Sequence, residues 1–138
     1  MAYTSGLTEQ KDLLKIQAYA EEAIDAYRIV TGGTATDGVV LADDSSVLPL
    51  GISGDAGEVG KDAYASGDAV AVRYSGIAYC KMTGSGNSFA LVIAGTNGVG
   101  KARTVETGWC VGIATKDWAD GEIIPVIIHQ VYIEGAGS

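Results

Sequence analysis

Apolar and polar residues alternate along most of this chain, which is the pattern of β-strands that bury one face and expose the other. The longest alternating stretch runs from residue 70 to residue 82, and Gly76 inside it predicts a bulge or bend. Its apolar face holds Val70, Val72, Tyr74, Cys80 and Met82, and its opposite face holds Arg73, Ser75, Ile77, Tyr79 and Lys81. Further apolar runs predict short strands at residues 29–30, 39–41, 47–52, 109–114 and 123–133.

One pattern occurs twice along the chain. Residues 61–75 (KDAYASGDAVAVRYS) and 116–130 (KDWADGEIIPVIIHQ) both begin with Lys-Asp, continue with an aromatic residue and alanine, and enter a strand after Gly-Asp or Gly-Glu. Because a compact acidic turn with a permissive glycine reverses the chain, we interpret the repeat as a strand–turn–strand unit. The two copies span about residues 47–82 and 109–133, and residues 22–30 are a weaker third candidate. The predicted fold is all-β, a small barrel or sandwich.

The N-terminal residues differ from this pattern and predict an arm, at residues 1–21, attached to a β domain at residues 22–138. Apolar residues at Leu13, Ile16, Ala20 and Ile24 recur at helical spacing. The alternation of Ile16, Ala18 and Ala20 equally supports a short strand at residues 15–19. Both interpretations, a short helix and a strand, are therefore kept for this segment.

Charge and apolar content limit the classes of partner. The chain has 138 residues, 17 acidic and 9 basic, and a net charge of −8. Since it shows no cluster of lysine or arginine, we expect no nucleic-acid partner. Its longest uncharged apolar run, residues 123–133, falls well short of the roughly 20 residues of a membrane span, so we expect a soluble protein without a membrane partner. Cys80 and Cys110 lie in strand-like runs without a preceding secretory signal, which favours free, partly buried thiols.

Several motifs resemble catalytic or ligand sites without meeting their requirements. Residues 95–102 (GTNGVGKA) match a phosphate-binding loop except that Ala102 replaces the magnesium-binding Ser or Thr, and the residues that follow look extended rather than helical. His129 is the sole histidine, which excludes a histidine cluster, and the spacing of the two cysteines is not that of a zinc site. A nucleophile–base pair of one cysteine with His129 lacks a nearby oxyanion-hole pattern.

Acidic residues in the turns offer oxygen ligands for calcium but follow no known loop spacing. These residues are Asp43, Asp44, Asp117, Asp120 and Glu122. We therefore expect no enzymatic activity, no cofactor and no resident metal. Tyr64 and Trp118 lie at equivalent places in the two polar turns, where an aromatic side chain either marks a protein contact or folds back over its own barrel.

The order and spacing of short motifs between residues 23 and 133 resemble those of the capsid decoration (cement) proteins of tailed bacteriophages. The motifs are Ala-Tyr-Arg-Ile-Val at 26–30, Thr-Asp-Gly-Val-Val at 36–40, Leu-Gly-Ile-Ser at 50–53, Gly-Asp-Ala-Val-Ala-Val at 67–72, Ser-Gly-Ile at 75–77, Val-Gly-Ile-Ala at 111–114 and Ala-Asp-Gly-Glu-Ile-Ile-Pro-Val at 119–126. The N-terminal 20 residues and residues 84–100 depart from the family pattern.

The resemblance implies a non-enzymatic β-rich protein, commonly a homotrimer, on the outer surface of a capsid made in a bacterial host. Its partners would be the major capsid protein and further copies of itself. Candidate capsid contacts are Tyr3, Leu7, Leu13, Leu14, Ile16, Tyr64 and Trp118. Candidate subunit contacts, on a strand apolar on both faces, are Ile123, Ile127, His129, Val131 and Ile133. The alternatives are a small ligand-binding barrel with a pocket formed by Trp109, Tyr79 and Tyr74, and a phage tail or baseplate adaptor.

Overall fold

The computed structural model of the chain describes residues 15–54 and 63–135. These residues confirm the all-β prediction, because they form twelve strands and one short 3-10 turn at Thr96–Gly98 and contain no helix long and apolar enough to cross a membrane. The strands are β1 (Lys15–Ala20), β2 (Ile24–Asp25), β3 (Ile29–Gly32), β4 (Gly38–Leu41), β5 (Gly51–Ser53), β6 (Ala63–Tyr64), β7 (Ala69–Arg73), β8 (Ile77–Lys81), β9 (Leu91–Ala94), β10 (Gly100–Ala102), β11 (Gly108–Ala114) and β12 (Ile123–Ile133).

Five strands close into a first barrel in the order β1-β4-β3-β5-β7. β1 closes it, since it pairs antiparallel with β7 and parallel with β4. Inward-facing positions alternate along each strand and fill the interior with small and β-branched side chains. This first core consists of Ala18, Ala20, Ile24, Ala26, Val30, Val39, Tyr64, Val70 and Val72.

Five further strands form a second sheet in the order β10-β9-β11-β12-β8, and β2 and β6 pair in a separate two-stranded sheet. A parallel bridge between Met82, directly after β8, and Gly100 of β10 joins its two edges, so this sheet curls into a second barrel. Its core holds Ala78, Cys80, Met82, Val92, Ala94, Val111, Ala114, Trp118, Ile124, Val126 and Ile128. Three residues of the first half, Ile29, Ala42 and Ile52, belong to this same cluster, which shows that the two barrels pack directly on each other.

The second barrel repeats the first strand by strand. β1, β4, β3, β5 and β7 occupy the same places in the first barrel as β8, β10, β9, β11 and β12 in the second. The register agrees as well, since one row of directly paired residues crosses four strands in each barrel. In the first barrel this row is Ile29, Ile52, Arg73 and Lys15, and in the second it is Leu91, Ile113, Ile127 and Ile77.

The turns of the two barrels share their hydrogen bonds. The N–H of Gly67 donates to the carbonyl of Ala20 at 2.7 Å, and the N–H of Gly121 donates to that of Met82 at 2.8 Å. Both glycines have a positive φ, of 93° and 84°, that side chains other than glycine rarely adopt. The acid that follows each glycine caps its own turn, as Glu122 does by accepting the Ala119 N–H at 3.0 Å. The turn is therefore one backbone design used twice.

Two further pairs of positions confirm the correspondence. Tyr27 and Phe89 both have positive φ, of 66° and 68°, and donate their N–H at 2.8 Å to a carbonyl at the end of β5 or β11. At Gly51 and Gly112 an added Cβ would run into a backbone carbonyl of β7 or β12. Each of these glycines therefore lets two strands approach closely.

Several sequence-based expectations are corrected by this topology. Residues 15–20, at the end of the predicted arm, form strand β1 of the first barrel, so the helix interpretation is wrong there and the strand alternative holds. Residues 24–32 correspond to residues 86–94, and this excludes the third copy of the 61–75 pattern. The alternating stretch around Gly76 has the predicted inward and outward faces, but β7 and β8 lie in different barrels.

Candidate interaction surface

The outer face of the second barrel carries a continuous group of apolar side chains. Leu91, Ile113, Ile127 and Ile77 form the row of directly paired residues described above, and paired residues project from the same side of a sheet. Tyr79 and Ile123 extend this group along β8 and β12. We call the six residues Ile77, Tyr79, Leu91, Ile113, Ile123 and Ile127 the apolar face.

The apolar face is accessible to solvent. Ile77 is 55% exposed and Ile127 40%, while Leu91 and Ile113 are half-buried between their neighbours. Pro125 lies within the group, opposite Tyr79, and its carbonyl accepts the Thr115 N–H at 3.2 Å at the end of β11. A contiguous apolar patch that crosses four strands usually marks an interaction site, whereas apolar residues that are exposed singly are common on any protein surface.

The predicted subunit contacts on β12 fall into two groups. Ile123, Ile127 and His129 are exposed, whereas Val131 and Ile133 are half-buried. Strict alternation of burial ends after His129, where the register between β11 and β12 shifts by one residue. The alternating face of β12 therefore extends from Ile123 to His129, and the role of all five residues in a subunit interface stays a prediction.

Tyr64 and Trp118 are not exposed aromatic tips. Their exposed fractions are 1% and 4%, and each turns inward over the core of its own barrel. The indole Nε1–H of Trp118 donates to the carbonyl of Thr83 at 3.4 Å, and its ring lies against Gly86. A buried ring cannot provide the contact predicted for these two residues, so the fold-back alternative holds. Of the other predicted capsid contacts, Ile16 is exposed on β1, and Tyr3, Leu7, Leu13 and Leu14 lie outside the described residues.

The acidic residues that suggested a calcium site act as caps of turns. Asp43 accepts the N–H of Asn97 at 2.9 Å, Asp117 that of Ser88 at 2.7 Å, and Asp120 that of Gly84 at 2.8 Å. Because the Ala119 N–H and then Lys116 donate to Glu122, the pKa of its carboxyl is lowered. Within residues 15–54 and 63–135 no three metal-ligating side chains come together.

Two more carboxylates order loops of the chain. Glu21 reaches across to the loop before β4 and accepts the N–H groups of Ala35 and Thr34, which lowers its pKa. The carboxylate of Glu106 accepts the N–H of Thr104 at 2.8 Å, and hydrogen bonds from this turn lower its pKa to about 2. Some of the acidic residues that make the chain negatively charged therefore stabilise its turns and loops.

The cysteines, the histidine and the glycine-rich loop lie on different strands. Both thiols are free and buried, and burial raises the pKa of Cys80 to about 12, which keeps it protonated and poorly nucleophilic. His129 is exposed on β12. The loop between β9 and β10 is a tight hairpin, and Lys101 lies on a strand opposite Ile93. Strand β10, at Gly100–Ala102, occupies the position from which the helix of a phosphate-binding loop would start.

The three aromatic residues of the predicted ligand pocket have different surroundings. Trp109 packs edge to face on Tyr132, with 5.4 Å between the ring centroids, and Tyr79 is exposed on the apolar face. Tyr74 lies in the short segment of chain that joins β7 of the first barrel to β8 of the second. One groove of about 420 Å³ does exist, beside the 3-10 turn. Its lining includes Arg28, Leu41 and Asn97 and none of the predicted residues.

Sequence reasoning identified only Ile127 of the central row of the apolar face as an interaction residue and missed Ile77, Leu91 and Ile113. The sequence contains a signal for this row in the Gly-Ile pairs at residues 51–52 and 112–113. When Ile52 is matched with Ile113, the residues paired with each of them on the neighbouring strands match as well. Phe89, the most exposed large apolar residue of those described, at 75%, was also missed.

The chain matches no known protein family and no curated protein sequence. Its fold is similar to the crystal structure of the head fiber gp8.5 N base in bacteriophage phi29, with a TM-score of 0.63 and 15% sequence identity. The similarity covers 87% of this chain and 97% of that chain. At this identity the comparison shows a shared fold.

Proposed function

We propose that this protein is a non-enzymatic structural component of a tailed-phage virion, bound to the outer surface of the capsid as a decoration protein that stabilises the shell. The observation that carries the proposal is the similarity to the phi29 head fiber base, which extends over nearly the whole of both chains. The motif order found in the sequence supports the same class of protein independently.

The surface chemistry agrees with a role in assembly. The protein carries an exposed apolar face, while its acidic residues are used to cap turns. Both barrel interiors are filled by side chains, which leaves the outer surfaces as the places where partners bind. The major capsid protein and further copies of this chain are the proposed partners, and the virion is the proposed location after synthesis in the host cytoplasm.

The proposed oligomer is a homotrimer. Once one subunit of a trimer is bound to the shell, the effective concentration of the other two near their own sites is raised. This adds about 10²–10⁴ in avidity without a new contact. A cyclic trimer also fits the local threefold positions of an icosahedral capsid.

Residues 1–14 are proposed to contribute to attachment rather than to the barrels. The described strands already close the first barrel, with β1 beginning at Lys15. The segment nevertheless contains Tyr3, Leu7, Leu13 and Leu14, and burial of such a side chain is worth about 1.5–3 kcal/mol before ordering costs. A truncation must therefore begin at Lys15, because removal of residues up to 19 would also delete β1.

The test is co-sedimentation with heads of the encoding phage that lack this protein. We expect full-length protein to pellet with the heads at saturable stoichiometry and to raise the temperature at which they release DNA. The variant that lacks residues 1–14 should keep its melting temperature and lose most of its binding. Absence of full-length protein from the pellet at every concentration would refute the decoration role. Equal binding by the truncated variant would contradict only the role of the segment.

A further inference from the structure

We propose that the apolar face of the second barrel docks on the first barrel of a neighbouring copy, and that this contact repeats the one already formed between the two barrels of a single chain. The inference deepens the proposed self-association and rests on it, but not on capsid attachment. Its basis is the internal duplication, which allows each outer position of one barrel to be compared with its counterpart in the other.

In the first barrel the counterparts of this face are covered. Val30, next to Ile29, faces the first core, so Ile29 and its direct partner Ile52 lie on outward positions, yet both are completely buried. They are covered because they belong to the core cluster of the second barrel. The contact also uses the backbone, as the Lys81 N–H donates to the carbonyl of Tyr27 at 2.9 Å.

In the second barrel the same positions lack a cover. Leu91 and Ile113, which correspond to Ile29 and Ile52, are only half-buried, and Phe89, which corresponds to Tyr27, is 75% exposed. The row continues with two exposed isoleucines where the first barrel has charged residues. These substitutions are Ile127 for Arg73 and Ile77 for Lys15. The second barrel thus presents a more apolar version of a surface that the first barrel buries.

The opposite half of the contact is also repeated. Two backbone N–H groups of the second barrel, those of Lys81 and Trp109, donate hydrogen bonds to the first half of the chain. The N–H of Trp109 donates to the carbonyl of Ser45 at 2.7 Å. The counterpart of Lys81 on the first barrel is Tyr19, which is 48% exposed. Counting back from the equivalent Gly51 and Gly112 makes Leu48, also exposed, the counterpart of Trp109. We call Tyr19, Leu48 and the adjacent exposed Val47 the receiving surface.

The two halves of the contact are different surfaces, so the association is heterologous and runs head to tail. A second copy of this chain is the occupant that fits, because the chain itself already contains this pair of surfaces in contact. Closed through three copies, the arrangement is a ring of six barrels, in which contacts within chains alternate with contacts between chains.

The test uses charged substitutions on each surface. Ile113→Arg places a charge where the equivalent Ile52 is buried in the contact between the two barrels of one chain, and Leu48→Glu places a charge on the receiving surface. Val105→Arg, at an exposed position outside both surfaces, is the matched control. Light scattering and sedimentation velocity give the mass, and thermal melting verifies folding. If Ile113→Arg unfolds, Leu91→Arg replaces it, since the equivalent Ile29 is buried in the same contact.

We expect the wild type and the control to have the mass of three chains, and each surface variant to have the mass of one. An equimolar mixture of Ile113→Arg and Leu48→Glu should form a 1:1 dimer, because one intact pair of surfaces remains. Trimeric surface variants would overturn the assignment of the surfaces while leaving the trimer intact. A mixture that stays monomeric would overturn the head-to-tail contact. A monomeric wild type at all concentrations would overturn the trimer and this inference together, independently of capsid binding.

Discussion

The contact between Trp118 and Gly86 predicts a specific coupling between two residues of the second barrel. In the first barrel the equivalent pair is Tyr64 opposite Ile24, so the second barrel combines a larger aromatic ring with the smallest residue. A Cβ at position 86 would come well inside contact distance of the outer edge of the indole. Because Trp118 is only 4% exposed and bonded to Thr83, the ring has little room to move.

Gly86→Ala should therefore destabilise the protein by about 1–3 kcal/mol through overpacking. At this chain length about 4 °C is lost per kcal/mol, which gives a decrease in melting temperature of about 4–12 °C. Trp118→Tyr should also destabilise it, since the smaller ring leaves part of the site empty. In the double variant the added methyl occupies space that the indole has vacated. The combined loss should consequently fall short of the sum by about 1 kcal/mol or more.

The measurement is urea unfolding followed by circular dichroism, with all four proteins compared as a double-mutant cycle. Gly32→Ala is the control, because a Cβ there meets no atom within 4 Å, and it should change stability by less than about 0.5 kcal/mol. Losses that add to within about 0.5 kcal/mol would refute the proposed contact. They would mean that the side chain at position 86 does not meet the ring.

Two further predictions concern titratable groups. The folded pKa of Glu106, about 2, lies below its ordinary value of 4.5, so its contribution to stability is present above pH 4.5 and is lost as the pH falls toward 2. Glu106→Gln should lower stability at pH 7 by at most about 1 kcal/mol, since solvent screens this carboxylate, and should leave stability at pH 2 unchanged; an equal loss in urea titrations at both pH values would contradict the charge effect. Burial holds the pKa of Cys80 at about 12, so at pH 8 its thiol should react with a disulfide reagent only after unfolding in guanidinium, with the mapped adducts as the measurement. Modification of Cys80 during mixing with the folded protein would show that the thiol is accessible.

The inward-facing positions of this fold were predictable because backbone and core restrict them strongly. Val70, Val72, Cys80 and Met82 are all buried as their alternation indicated. The turn glycines Gly67 and Gly121 were recognisable too, since the turn requires a positive φ at both. These constraints are local, and short stretches of sequence carry them.

Other features depended on residues distant in sequence. The segment from Ile16 to Ala20 fits both helical and strand spacing, and only its pairing with β7 and β4 decides for a strand. Trp118 looked exposed because its own turn is polar, whereas the space that accommodates it is provided by Gly86 on another segment. The full duplication was hidden because outward positions differ between the barrels even where inward positions and turns agree.

That difference at outward positions is the strongest reason to assign an interaction to the apolar face. The first barrel closes with Arg73 and Lys15 at the two register positions where the second has Ile127 and Ile77, so the barrel fold itself does not require isoleucine there. Covering one such side chain in an interface gains about 1.5–3 kcal/mol relative to leaving it in water. Charged residues at these positions would keep the barrel fold and forgo that gain. A surface that binds another copy accounts for both isoleucines, and it accounts equally for the exposed Tyr19 and Leu48 at the opposite half of the duplicated contact.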